Sequence, residues 1–286
     1  MKKLIETIQE NYLEIANIKI TKKEIQKNIL PIFIYLNNSK KNMFLISGSQ
    51  GIGKTTIIKI LKKNFYKYFN KRILALSLDD FYYDKNERDK ISKLSHQLMK
   101  TRGVPGTHNV KEILDVIEKF KKKKYPIKIP KFDKLKDIKL KKKTITKKCD
   151  ILILEGWCCG SPAIKKSYLY KNINNLEKNY DKFFTWRNYY NECLKKDYSK
   201  LFKKFDQLIF FKAPSFSCIL KWRLKQENYM KKNAKNINLG MNKNEIRNFI
   251  IYYEKLTKWM IKILPHKANL NILVDRNQRI KKISIF

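Results

Sequence analysis

This chain of 286 residues contains only eight glycines, and three of them fall within one stretch of eight residues. The stretch reads Gly48-Ser49-Gln50-Gly51-Ile52-Gly53-Lys54-Thr55, which is the spacing of a Walker A phosphate loop. It follows an apolar run, Met43 to Ile46, that predicts a buried strand, and it precedes residues 56–61, whose apolar spacing predicts a helix. Because strand, loop and helix form the context that the motif requires, the sequence predicts a nucleotide site. The alternative is a chance match in a surface loop.

Each part of the predicted site has a physical task. The glycines let the loop curl, so that backbone N–H groups and the helix N-terminus face a polyphosphate. Lys54 would contact the β- and γ-phosphates, and Thr55 would bind Mg²⁺. The predicted nucleotide site comprises Gly48, Ser49, Gln50, Gly51, Ile52, Gly53, Lys54, Thr55 and Thr56.

Two further glycine clusters, in residues 102–108 and 155–160, are expected to form walls of the same site. A sequence this poor in glycine keeps the residue where backbone geometry demands it.

The strongly basic composition raises the question of a nucleic-acid partner. The 65 lysines and arginines outnumber 25 acidic residues, which gives a formal net charge of +40. Such a charge suits nucleic-acid binding. However, the lysines are spread over nearly every predicted surface and are not interleaved with aromatic residues in a stacking platform. We therefore expect a solvated lysine surface and no specific nucleic-acid partner.

Alternating apolar runs and helical segments predict one α/β domain. Strands are expected at residues 43–47, 73–78, 151–154, 207–212 and 270–274, in a mostly parallel five-stranded sheet with helices on both faces. Residues 1–38 are expected to form an N-terminal helical extension, and residues 39–286 the main domain, with a lysine-rich excursion at residues 121–148. No apolar run is long enough to span a membrane, and the five cysteines form no Cys-x-x-Cys pair, so we expect a cytoplasmic protein with no membrane partner.

The ends of the predicted strands carry acidic residues. Asp79 and Asp80 follow the second strand, and Asp79 would accept the proton of an attacking hydroxyl or orient it. The alternative is that this pair caps the next helix. Glu155 follows the third strand and has the position of a Walker B acid that holds Mg²⁺ or its water.

Two arginines stand out because the chain has 57 lysines and only eight arginines. Arg223 would contact a phosphate oxygen from a closing lid, with an exposed helix face as the alternative. Arg102 precedes a Gly-Val-Pro-Gly turn and would hold a carboxylate with its planar guanidinium group. The alternative for Arg102 is a pairing with a surface acid.

The ordered set of motifs resembles the P-loop D-glycerate 3-kinase group and its kinase-like relatives. The motifs are residues 77–82, 102–108, 130–134, 155–157, 213–216 and 222–224. The wider superfamily that this resemblance implies also contains uridine kinase, phosphoribulokinase and bacterial pantothenate kinase. The resemblance implies that Asp79 is the catalytic aspartate, that Glu155 is the Walker B acid, and that the Arg102 and Lys131 segments lie on the acceptor side. After Asp133 the sequence departs from the group, since residues 135–148 are lysine-rich.

Taken together, these features predict an ATP-dependent, Mg²⁺-requiring kinase of a small hydroxy acid, with D-glycerate as the first candidate. The expected catalytic residues are Lys54, Asp79, Glu155 and Arg223, and Thr55 and Glu155 are the expected metal ligands. The expected acceptor-binding residues are Asp80, Tyr82, Arg102, His108 and Lys131. Two alternatives stay open at this point: a kinase of a pantothenate- or nucleoside-like alcohol, and a nucleotide-dependent RNA-binding or regulatory ATPase. The sequence leaves the oligomeric state open.

Overall fold

A computed structural model describes residues 1–233 and 241–286 of the chain. The strands in these residues are β1 (Met43–Gly48), β2 (Ile73–Ser77), β3 (Ile127–Asp133), β4 (Ile138–Ile145), β5 (Ile151–Gly156), β6 (Gln207–Lys212), β7 (Leu270–Val274) and β8 (Ile280–Ile285). The helices are α1 (Lys2–Ala16), α2 (Lys22–Asn28), α3 (Leu30–Asn38), α4 (Lys54–Phe69), α5 (Lys85–Leu94), α6 (Val110–Lys121), α7 (Lys166–Leu169), α8 (Asn175–Tyr180), α9 (Thr185–Cys193), α10 (Ser199–Phe202), α11 (Ser217–Asn233), α12 (Lys243–Ile250) and α13 (Glu254–Ile263).

The central sheet has the strand order β2-β5-β1-β6-β7-β8. The five strands predicted from the sequence are present, and all neighbouring pairs among them are parallel. The predicted number of five strands was wrong, because β8 adds an antiparallel edge strand next to β7. This strand is half exposed and carries two lysines, so it lacks the apolar run of a buried strand.

Helices cover both faces of the sheet, because alternate side chains of each strand point to opposite sides. On β1, Phe44 and Ile46 belong to a cluster that includes buried residues of α1 to α4 and α11. Met43 and Leu45 face the other cluster, which contains buried residues of α6, α9 and α13. The result is a three-layer α/β fold.

The N-terminal helices contribute directly to the first of these clusters. Leu4 and Ile8 of α1 are almost fully buried, as are Ile25 of α2 and Phe33 of α3. Pro31 lies in the first turn of α3, where a missing backbone N–H costs nothing, so the chain breaks between α2 and α3. Asn242 and Glu245 form a capping box at the start of α12.

Strands β3 and β4 form a separate antiparallel hairpin within the lysine-rich excursion. Strand β3 places Ile127, Ile129 and Phe132 in the core, whereas every residue of β4 before Ile145 is exposed. The short tip of this hairpin, residues 134–137, is called the hairpin tip below.

Within residues 1–233 and 241–286, no helix has both the length and the apolar character needed to cross a membrane.

Candidate active site

The phosphate loop joins β1 to α4 and holds Lys54 in a preset position. The Lys54 ammonium group donates to the backbone carbonyls of Gly48, at 2.6 Å, and Ser49, at 3.0 Å. Its side chain is buried, and burial lowers the pKa of Lys54, while Glu155 and Asp79 act in the opposite direction. Gly51 has a φ of +72°, and a Cβ there would lie 3.0 Å from Cβ of Trp222, so the tight packing under the loop requires glycine.

Glu155 lies in the middle of the site because β5 is placed between β1 and β2. The strand register sets Glu155 beside Ile46 on one side and Ser77 on the other. The Ser77 hydroxyl donates to Oε1 of Glu155 at 2.9 Å. Burial raises the pKa of Glu155, and Lys54 opposes this rise. A partly buried carboxylate that lines the same cleft as the phosphate loop has the position of a metal-binding or metal-orienting acid.

Asp79 lies in a 3₁₀ turn, Leu78–Phe81, that follows β2. Its Oδ1 accepts a hydrogen bond from the Tyr82 hydroxyl at 2.7 Å, and Lys134 donates to its Oδ2 at 2.5 Å. Burial alone would raise the pKa of Asp79, but Lys134 and the two hydrogen bonds together keep it well below its usual range. Asp79 is therefore ionised at neutral pH. Asp84, and not the Asp79–Asp80 pair, caps the following helix α5.

The hairpin tip closes the acceptor side through two charged side chains. Lys134 contacts Asp79, and Asp137 lies between two arginines. Oδ2 of Asp137 accepts from Nη2 of Arg88 at 2.5 Å, and Oδ1 accepts from Nη1 of Arg102 at 2.7 Å. Arg102 also donates through Nη2 to the Lys134 carbonyl at 2.7 Å.

These groups surround one cleft of about 910 Å³. Its lining includes phosphate-loop residues (Gln50, Gly51, Lys54, Thr55), acids (Asp79, Glu155), the hairpin tip (Lys134, Leu135, Asp137) and Arg223. Aromatic residues including Trp157, Phe249 and Tyr253 also line the cleft. A phosphate loop and a separate set of polar groups in one cleft can bind two substrates side by side.

Comparison with known proteins shows which sequences and folds this chain is similar to. Residues 6–104 match the family model of the Rad17 P-loop domain. The uncharacterized kinase mug58 of Schizosaccharomyces pombe is 29% identical over 250 residues, which cover 82% of this chain and 87% of that protein. The probable ATP-dependent kinase TDA10 of Saccharomyces cerevisiae is 25% identical over 284 residues, which cover 90% and 92% of the two chains.

A solved structure extends the comparison to three dimensions. D-glycerate 3-kinase from Cryptococcus neoformans is 21% identical and superposes with a TM-score of 0.70, covering 90% of this chain and 96% of that chain. The chain has the fold of the P-loop kinases. The predicted resemblance to the D-glycerate 3-kinase group is confirmed for the fold.

In this kinase fold, the residues predicted to bind the nucleotide form two groups, one that lines the cleft and one that lies outside its lining. Gln50, Gly51, Lys54 and Thr55 line the cleft, whereas Gly48 and Ser49 hold Lys54 through their carbonyls. The remaining predicted nucleotide residues (Ile52, Gly53, Thr56) are outside the cleft lining, and Gly53 is the residue that precedes α4.

Of the five residues predicted to bind the acceptor, some line the cleft and the others lie outside its lining. Tyr82 and Arg102 line the cleft. Asp80 and Lys131 form an ion pair with each other outside the cleft lining. His108 is fully buried behind Tyr82, with ring centroids 4.5 Å apart, so its imidazole is separated from the cleft by that ring. The structure therefore brings two of the five predicted acceptor residues to the cleft.

Arg102 and Arg223 both have acidic partners within the protein. The pairing of Arg102 with an acid, which was the alternative to carboxylate capture, is present with Asp137. Arg223 lines the cleft from α11 and pairs with Glu227 at 2.6 Å. The guanidinium group of Arg223 is therefore at the cleft but is held by the next turn of its own helix.

Sequence reasoning missed Lys134, Asp137 and Arg88. Lys134 carried one signal as the last residue of the 130–134 motif, and Arg88 carried another, because an arginine in so lysine-rich a chain indicates a need for a planar, many-donor cation. Arg88 donates to the backbone carbonyls of Lys100 and Tyr83 as well as to Asp137, which a lysine could not do with the same geometry.

The donor set fits Mg²⁺ bound together with a nucleotide. In the described part of the chain, no three His, Cys, Asp or Glu side chains cluster as a complete metal site. Mg²⁺ prefers one or two carboxylates, waters and substrate phosphate oxygens to a site made only of protein groups. The Thr55 hydroxyl and the Glu155 carboxylate, both at the cleft, match this preference.

Proposed function

We propose that this chain is an ATP-dependent kinase that transfers the γ-phosphoryl group to a hydroxyl of a small hydroxy acid, with D-glycerate as the first candidate. The observation that carries the proposal is the single cleft in which Lys54 and Thr55 face Asp79 and Glu155. A phosphate-binding lysine, a metal-binding acid and an ionised aspartate are the groups that phosphoryl transfer to an alcohol requires.

The residues have distinct tasks in this reaction. The loop amides and Lys54 hold the β- and γ-phosphates, and Thr55 and Glu155 hold Mg²⁺. Bound Mg²⁺ would neutralise charge on the phosphate oxygens. Asp79, which the structure keeps ionised, accepts the proton of the acceptor hydroxyl as it attacks. The Tyr82 hydroxyl fixes the direction of the Asp79 carboxylate through its hydrogen bond.

The charge of the acceptor side supports an acidic acceptor. Lys100, Arg102 and Lys134 line this part of the cleft, so an anionic substrate gains from their field. The similarity to a solved D-glycerate 3-kinase makes glycerate the first acid to test. A cytoplasmic location is part of the proposal, since all five cysteines are free thiols, as expected in a reducing compartment.

An ADP-release screen tests the proposal. The purified chain is given Mg-ATP with a panel of hydroxy acids, nucleosides and pantothenate, and D-glycerate is expected to stimulate ADP formation most. The Lys54→Ala variant is expected to lose turnover with every acceptor, because the β/γ-phosphates lose their compensating cation. ADP formation that rises only with pantothenate or a nucleoside would replace the acid by that class of alcohol. Normal turnover in Lys54→Ala would overturn the kinase assignment.

A further inference from the structure

The hairpin tip places a lysine on the aspartate that the reaction needs as a base. Lys134 Nζ lies 2.5 Å from Oδ2 of Asp79, although Lys134 is 55 residues further along the chain. The two side chains line the same cleft as Lys54 and Glu155. Its contact with Asp79 thus places Lys134 where the acceptor hydroxyl would give up its proton.

The charge of Lys134 also contributes to the electrostatic environment of Lys54 and Glu155. Burial is the main cause of the low pKa of Lys54, and Lys134 lowers it further. Lys134 also favours the ionised form of Glu155, against the larger effect of burial on the pKa of that acid. Lys134 lines the same cleft as Lys54 and Thr55, so its ammonium group borders the space in which a phosphoryl group would be held.

Two arginines hold the backbone of the hairpin tip that carries Lys134. Arg88 is buried, and its guanidinium group is fixed by the backbone carbonyls of Lys100 and Tyr83. Arg88 and Arg102 then hold one carboxylate oxygen each of Asp137, at the C-terminal end of the hairpin tip. Arg102 holds the other end of the tip through the Lys134 carbonyl. The two arginines therefore fix the backbone that carries Lys134.

We propose that Lys134 is a catalytic residue of this kinase: its ammonium group pairs with Asp79 in the free protein and binds the oxygens of the phosphoryl group during transfer. This inference rests on the proposed function. The acceptor hydroxyl displaces Lys134 from Asp79, and Lys134 turns to the phosphoryl oxygens, where negative charge is concentrated.

In the chemical step, bonds and electrons are exchanged between the two substrates, and Asp79 takes the proton. The bond between the γ-phosphorus and the β,γ-bridging oxygen breaks, and ADP leaves with its electron pair. A bond forms between the acceptor oxygen and the γ-phosphorus, and the hydroxyl proton passes to Asp79. Lys134 keeps its own proton throughout and supplies positive charge.

Arg102 takes a different role in this arrangement from the one that its sequence context suggested. Its Nη1 and Nη2 atoms bind the hairpin tip, so it acts through Lys134 as a positioning residue. Bidentate capture of the acceptor's carboxylate by Arg102 would instead require these two contacts with the hairpin tip to break.

The first test compares Lys134→Ala with Lys136→Ala. Lys136 lies on the same hairpin tip, is exposed and is outside the cleft lining, so its removal changes charge without touching the site. Loss of one transition-state donor is expected to lower kcat about 100-fold or more in Lys134→Ala, with KM for Mg-ATP nearly unchanged. Lys136→Ala is expected to keep the kcat of the unaltered protein, and Lys134→Arg to recover part of it.

A binding measurement keeps this test independent of turnover. Calorimetry with Mg-ADP and aluminium fluoride, which mimics the phosphoryl group in flight, is expected to show weaker binding for Lys134→Ala than for Lys136→Ala. Binding of Mg-ATP is expected to be equal in the two variants. Equal aluminium fluoride binding, or equal kcat, in the two variants would overturn the inference. An unaltered protein that phosphorylates no acceptor would instead overturn the proposed function.

The second test is a double-mutant cycle of Arg102→Ala and Asp137→Ala. If both residues act by holding the hairpin tip, each lowers kcat, and the double variant is no slower than the worse single variant. If Arg102 captures the acceptor, Arg102→Ala raises KM for the acid whether or not Asp137 is present. That second outcome would overturn the positioning role.

Discussion

At the scale of single residues, Asp79 and Glu155 are two carboxylates in one cleft whose pKa values are shifted in opposite directions. Lys134 and two hydrogen bonds keep the pKa of Asp79 low against the effect of burial, whereas burial raises that of Glu155. We expect Asp79→Asn to lower kcat about 100-fold or more, because the hydroxyl loses its proton acceptor, and to leave KM for Mg-ATP almost unchanged.

Glu155→Gln is the matched variant for this comparison, and it is expected to shift the Mg²⁺ concentration needed for half-maximal rate. Steady-state kinetics over a magnesium series measures both effects. Equal loss of ATP binding in the two variants would show that the assigned roles of these acids are wrong.

His108 is expected to make stability depend on pH. Burial lowers the pKa of His108 to about 3, and the nearby Asp79 carboxylate only partly offsets this. In the unfolded chain the imidazole takes up a proton below about pH 6.5. Above that pH both states are neutral. As the pH falls from about 6.5 to 3, only the unfolded state gains the proton, so roughly 3 to 5 kcal/mol of the free energy of unfolding is lost.

Urea unfolding at several pH values measures this effect. In His108→Gln the loss of stability between about pH 6.5 and 3 is expected to be smaller, whatever the absolute stability of the variant. His266→Gln is the control, since the His266 side chain is exposed in the folded protein. A pH dependence that is the same in His108→Gln as in the unaltered chain would contradict the prediction.

The phosphate loop and the acids at the ends of β2 and β5 could be predicted because their signals are local. Each follows a short apolar run or forms a motif of eight residues, and parallel strands bring their C-terminal ends to one edge. Asp137 had no such signal, and Lys134 belonged to the 130–134 motif without any indication of its task. The partners of Lys134 and Asp137 lie 55 and 35 residues away along the chain, so the sequence does not display either pairing.

At the scale of elements, the same reasoning explains which strands could be predicted. Strands β1, β2, β5, β6 and β7 are apolar because helices cover them on both faces. Strand β4 is exposed along nearly its whole length and β8 is a half-exposed edge, so neither shows a continuous apolar run. Exposed strands are specified by pairing with a neighbour, which a single sequence does not display.

Helix α1 provides an element-scale test of whether the N-terminal helices support the fold. Ile8 is fully buried among residues of the sheet and α4, whereas Leu13, on the same helix, is 49% exposed. We expect Ile8→Ala to lower the free energy of unfolding by about 2 to 4 kcal/mol through the cavity that it leaves.

Leu13→Ala serves as the control and is expected to change the free energy of unfolding by less than about 0.5 kcal/mol. Thermal unfolding followed by circular dichroism and by loss of nucleotide binding should give one common transition in both variants. If nucleotide binding and the main transition were untouched by Ile8→Ala, the N-terminal helices would not stabilise the domain that holds the site.

At the scale of the whole molecule, the three-layer architecture could be predicted from the alternation of strands and helices in the sequence. The cleft could not be predicted in this way. The cleft depends on the hairpin tip, the phosphate loop and α11 meeting around one space, which is set by tertiary packing. The formal net charge of the whole chain is +40, which favours the approach of any anion, ATP included.

The position of β5 between β1 and β2 has a consequence for the chain as it leaves the ribosome. The phosphate loop is made early, and its first neighbouring acid, Asp79, follows soon after. Glu155 and the strand that separates β1 from β2 come only after the hairpin has been synthesised. Until then β1 and β2 have no partner between them, and the loop has no sheet to hold it in shape. We therefore expect a nascent chain that stops before residue 150 to carry the complete nucleotide motif but not to bind nucleotide.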